Sequence, residues 1–71
     1  MTIDEKLELL EKVFHEPKYS LQEESLLRDI EGGESLNIVN LQMELAVRGI
    51  NIEFMELMNC KTIKDVCNLW N

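Results

Sequence analysis

The sequence predicts an all-α fold: a small bundle of three main helices with one or two short ones. Three observations point there. Apolar residues recur at steps of three and four along most of the chain, capping residues stand where those patterns begin or stop, and no segment alternates apolar and polar residues as a half-buried strand does. With 71 residues, 45% of them apolar and 30% charged, the chain has the composition of one folded domain over residues 1–71. It is too short to enclose a catalytic cleft.

A first helix is predicted over about residues 3–15, with Ile3, Leu7, Leu10, Val13 and Phe14 on its apolar face. Asp4, Glu5, Glu8, Glu11 and Lys12 fill the remaining turns and read as a solvated face. Thr2, with Glu5 three residues on, has the pattern of a capping box. Pro17 ends the helix, because the residue before a proline is pushed out of helical geometry. Residues 16–34 then read as a long packed connection in which Tyr19, Leu21, Leu26, Leu27 and Ile30 fit no continuous period. Within it a short helical turn over Gln22–Leu27 is expected, capped by Ser20 with Glu23 three residues on.

Gly32 and Gly33 break the chain before a second main helix of about residues 35–48. Two apolar stripes run along it, Leu36, Val39, Met43 and Val47 on one and Ile38, Leu41 and Leu45 on the other, which predicts a central helix covered on more than one side. Gly49 is its C-terminal cap. Ile50-Asn51-Ile52 is a brief extended link to a short helix of about residues 53–59, containing Phe54, Met55, Leu57 and Met58. Thr62 opens the last helix, about residues 62–70, through Ile63, Val66, Cys67 and Trp70. Met43, Met55 and Met58 read as gap-filling core, Cys67 as a small buried hydrophobe and Trp70 as a clamp on the last helix.

Charge and cysteine usage narrow the function classes. A formal charge of −7, from 14 acidic and 7 basic residues, repels phosphate backbones, so nucleic acid is not an expected partner. The same acidity suits docking onto basic protein surfaces and also serves solubility. Two cysteines, Cys60 and Cys67, and the single His15 do not make a zinc ligand set. The acidic start of the chain lacks the basic region of a signal peptide, and no apolar run is long enough to span a membrane. A cytoplasmic setting with reduced cysteines and no membrane partner is the expectation.

The stretch Gly32-Gly33-Glu34-Ser35-Leu36 carries the clearest chemistry. Two glycines let the backbone approach a bulky group, and the serine follows at a helix N-terminus, where unpaired amides and the positive end of the helix dipole favour a phosphate on its hydroxyl. On this pentapeptide alone, a plain N-cap is the more ordinary reading of Ser35. Nucleophilic catalysis by this chain is not expected, since a serine needs a positioned base and His15 has no evident orienting partner.

From Gly32 to Trp70 the chain resembles the acyl carrier and peptidyl carrier family of phosphopantetheine-binding proteins. The motif GGESL matches the family's Gly-Gly-x-Ser-Leu at the start of its second helix, Val39, Leu41, Met43 and Leu45 fall where that helix is apolar, Gly49-Ile50-Asn51-Ile52 matches its Gly-Ile-x-Ile link, and Lys61-Thr62-Ile63 matches the start of its last helix. Glu34 stands where aspartate or histidine is commoner, Glu31 where an apolar residue usually precedes the glycines, and Arg48 where a phenylalanine often ends the helix.

The resemblance implies an acyl-carrier-like bundle and a non-catalytic carrier. Ser35 would receive 4'-phosphopantetheine from coenzyme A through a separate phosphopantetheinyl transferase, and the thiol of the arm would hold an acyl, aminoacyl or peptidyl group as a thioester. Partners implied are that transferase, an acyl- or aminoacyl-activating (adenylating) enzyme, and downstream synthase or transferase enzymes, which a monomeric carrier would meet through Glu34, Leu36, Asn37, Asn40, Glu44 and Met55. Leu36 is also readable as core. Asn37 and Asn40, where fatty-acid carriers are often acidic, and the double glycine lean toward an aminoacyl or peptidyl carrier. The alternative is an unmodified acidic helical interaction module in which Ser35 only caps a helix.

Overall fold

The computed structural model describes residues 1–30 and 35–71. Helix α1 (Ile3–Phe14) starts at the predicted capping box: the Thr2 hydroxyl accepts from the Glu5 amide at 3.2 Å and the Glu5 carboxylate accepts from the Thr2 amide at 2.9 Å. It stops through a left-handed residue, His15 at φ 59, before Pro17 is reached. The Glu16 amide bonds back to the Glu11 carbonyl at 2.8 Å, closing the helix end.

Among the described residues three further α-helices follow, α2 (Ser35–Val47), α3 (Phe54–Met58) and α4 (Ile63–Cys67), and no strand. This is the all-α bundle the periodicities predict. The α2 helix packs on both α1 and α3, and α1 on α4, within an envelope of 26 × 24 × 18 Å. Leu10, Phe14, Ile38, Leu41, Leu45, Leu57, Ile63, Val66 and Cys67 form its fully buried centre. Trp70 is buried at the edge of that core, so the clamp read from sequence is present.

Gly49 closes α2 as expected, at φ +80 with the Ile50 amide on the Leu45 carbonyl at 2.9 Å. A methyl group there would meet open space, so only the backbone angle opposes it. Gly49→Ala is expected to cost about 1 kcal/mol and to lower the melting temperature of a domain this size by roughly 4–8 °C. Thermal unfolding followed by circular dichroism checks this.

The long connection departs from expectation. Ser20 caps nothing: its hydroxyl donates to the Pro17 carbonyl within a tight turn, and the helical turn lies later, a 3₁₀ turn at Leu27–Asp29. Instead of forming a helix, residues 23–27 pair with the start of α4. Leu26 makes an isolated antiparallel bridge with Thr62, the Leu27 amide bonds to the Lys61 carbonyl, and the Ser25 and Glu23 carbonyls accept from the Ile63 and Lys64 amides, each at 2.9 Å. The orphan amides of α4 are thus satisfied from the loop as well as by the Thr62 hydroxyl, which accepts from the Asp65 amide at 3.1 Å. The helix itself ends at Cys67, short of the predicted residue 70, because the chain turns there to bring Trp70 against α1.

Asp65 completes that cap. One of its carboxylate oxygens accepts from the Lys61 and Thr62 amides, both at 3.1 Å, and these bonds, Lys61 first, hold its pKa below the ordinary aspartate value. A carboxyl whose pKa is lowered by folding stabilises the fold above its unfolded pKa, and that contribution disappears as pH falls through the folded value. The gap in urea midpoint between wild type and Asp65→Asn is therefore expected to be widest near neutrality and to close below about pH 4.

Candidate functional site

Ser35 is the first residue of α2 and is solvent-exposed. The other two serines are occupied in local turns: the Ser20 hydroxyl donates to the Pro17 carbonyl, and the Ser25 hydroxyl accepts from the Gln22 amide at 3.1 Å. Ser35 heads a helix of 13 residues whose first turn bears no acidic side chain. First-turn amides and the helix dipole favour an anion on this hydroxyl. Of the remaining motif, Glu31, Gly32, Gly33 and Glu34 lie outside the described residues, and with them the predicted docking role of Glu34.

The exposed side of α2 corrects the sequence reading. Ile38, Leu41 and Leu45 are buried, but the other stripe is not: Leu36 is 71% exposed, Met43 62% and Val47 85%. Leu36 is therefore not core. Neither are Met43, Met55 and Met58, all exposed, where gap-filling roles were expected. The reason is geometric. The helices packed against α2, α1 and α3, meet its Ile38–Leu41–Leu45 side, and among the described residues Leu36, Met43 and Val47 on the other side stay exposed.

The result is an apolar strip along α2, and Met55 and Met58 on α3 are exposed as well. Polar residues flank it. Asn40 donates its side-chain amide to the Asn37 side-chain oxygen at 3.3 Å. Glu44, the one charged residue of α2, is paired with Arg48 at 2.9 Å, and the same guanidinium donates to the Glu44 carbonyl at 3.2 Å. The charge at position 48 is thus folded back onto its own helix. Gln42 donates to the Ile52 carbonyl at 3.0 Å, tying α2 to the link before α3. Beside that tie lies a shallow hollow of about 410 Å³ lined by Met43, Ala46, Asn51 and Glu53, among others.

Both thiols are held toward the protonated form. Cys67 is buried on α4, as predicted, and burial pushes its pKa up. Cys60 is half-buried with its Sγ on the Glu56 carbonyl at 3.3 Å; burial first, then Asp65 and Glu56, raise its pKa as well. Both shifts disfavour the nucleophilic thiolate.

Two positioning residues escaped the sequence reading. Lys6 donates to the Cys67 carbonyl at 2.8 Å and to the Trp70 carbonyl at 2.5 Å, with its ammonium 5.1 Å from the centre of the Trp70 ring. Glu11, read as part of a solvated face, is only 5% exposed and accepts from the Leu21 amide at 3.0 Å. Its place four residues after Leu7 and next to Leu10, inside the apolar arc, was the available signal for Glu11. Lys6 offered none.

A family model described as a phosphopantetheine attachment site matches residues 7–70. Comparison with curated proteins and with solved structures gives no match.

Proposed function

Since the chain belongs to the phosphopantetheine-attachment family, whose members bind 4'-phosphopantetheine covalently, we propose that Ser35 is its attachment residue and that it presents a thioester-bound acyl, aminoacyl or peptidyl group to partner enzymes. The observation behind this reading is an exposed serine hydroxyl at the head of the long helix α2, within the matched segment. Attachment replaces the Ser35 O–H bond with an O–P bond. The phosphorus–oxygen bond to the nucleotide half of coenzyme A breaks, and the hydroxyl proton passes to the base of a separate transferase. Bound there, the arm supplies a thiol that stores the cargo in activated form.

This chain's own contribution is placement. The first-turn amides of α2 stabilise the phosphodiester charge, and the strip of Leu36 and Met43, with Asn37, Asn40, Glu44 and Met55, meets the partner. Because α2 bears a single charge, already paired with Arg48, partner binding rests on apolar contact more than on charge, which supports an aminoacyl or peptidyl carrier over a fatty-acid one. Incubation with a broad-specificity phosphopantetheinyl transferase and coenzyme A, followed by intact mass measurement, tests the proposal. Addition of one arm is expected. An unchanged mass would reject it and leave the chain as an unmodified interaction module.

A further inference from the structure

We propose that the hollow between α1 and the turn at Lys18–Leu21 is a docking surface for a basic partner segment that presents a guanidinium beside an apolar side chain. The hollow measures about 380 Å³, and its wall on α1 is Asp4, Leu7, Glu8 and Glu11. Opposite stand Lys18, Tyr19 and Leu21. No residue of α2 lines it, so it can be filled while the Ser35 end of the molecule is engaged elsewhere.

The charge arrangement selects the occupant. Three carboxylates face one lysine across the hollow, and that lysine lies over the Tyr19 ring at 5.2 Å. Among the described residues the ion pair present is Glu44–Arg48, and none involves Asp4, Glu8 or Glu11. Glu11 is the unusual member. The residue is only 5% exposed, and one oxygen of its carboxylate accepts from the Leu21 amide at 3.0 Å at the foot of the hollow. The acidic wall of Asp4, Glu8 and Glu11 favours an occupant that brings an opposite charge. A planar guanidinium supplies one with several donors and stacks on aromatic faces, which an ammonium does less well.

The ring for that stacking is already presented. Tyr19 is 84% exposed and sits at φ 67, a left-handed conformation costly for an aromatic residue. Half-buried Leu7 and buried Leu21 give the hollow its apolar floor.

A short fluorescein-labelled peptide alternating leucine and arginine is the probe, read by anisotropy at low ionic strength. Saturable binding is expected, with amide shifts gathered on Leu7, Glu8, Glu11 and Lys18–Leu21 in nitrogen-15 spectra. Glu8→Gln should weaken it about two- to fivefold, Lys18→Gln should tighten it, and Ser35→Ala should leave it unchanged. Tyr19→Gly should weaken it about two- to fivefold while keeping or raising the melting temperature, since glycine relieves the backbone angle. Equal affinity for a peptide with citrulline in place of arginine would mean an apolar occupant and overturn the proposal. So would an affinity indifferent to Glu8→Gln and Tyr19→Gly, which marks diffuse attraction to net charge, or no binding at all.

Discussion

Ser35→Ala is expected to abolish arm attachment completely, leaving the intact mass of the protein unchanged after incubation with transferase and coenzyme A. The variant should keep the far-ultraviolet spectrum of wild type, because a first-turn hydroxyl contributes no more than about 1 kcal/mol. Two controls make the result specific. Ser20→Ala and Ser25→Ala should load in full, since those hydroxyls are bound in turns of the long connection and neither heads a long helix. Loading of Ser35→Ala would move the attachment residue elsewhere. Failure of all three variants together with wild type would instead remove the carrier proposal, so the two outcomes are distinguishable.

The second large effect is on stability. Trp70→Ala is expected to cost about 3–5 kcal/mol, as for other buried tryptophans. A domain of 71 residues commands roughly 4–10 kcal/mol in total. The variant should therefore be close to unfolded at ambient temperature, with a sharply lowered urea midpoint. Two losses combine. The indole leaves a void at the edge of the core, and Lys6 loses the ring beneath its ammonium while its bonds to the Cys67 and Trp70 carbonyls lose their fixed geometry. The indole N–H, which lies 3.4 Å from the Met1 sulfur, goes as well. Trp70→Phe, which keeps an aromatic face, should recover most of the midpoint.

What was readable in advance was local. Thr2 with Glu5, Thr62 with Asp65, and Gly49 each act within a few residues of themselves, and a pattern of that reach survives in a linear string. The start of α2 at Ser35 was readable for the same reason. Which stripe of α2 would be buried was not, because Leu36, Val39, Met43 and Val47 are as apolar as Ile38, Leu41 and Leu45. That choice is made by α1 and α3, which had to be placed first. The methionines were misread through the same gap: a flexible thioether suits a core void and an exposed contact surface equally well. Lys6 was invisible because its acceptors lie 61 and 64 residues away.

The loop carbonyls that cap α4 bear on what keeps that helix formed. A helix of five residues has almost no tendency to form alone. Its first two amides, Ile63 and Lys64, find their acceptors on Ser25 and Glu23, some 40 residues earlier in the chain. The last helix therefore depends on closure of that loop rather than on its own helical tendency. Truncating or loosening the loop at residues 23–27 is thus expected to unwind α4 as well, read as loss of amide protection at Ile63 and Lys64.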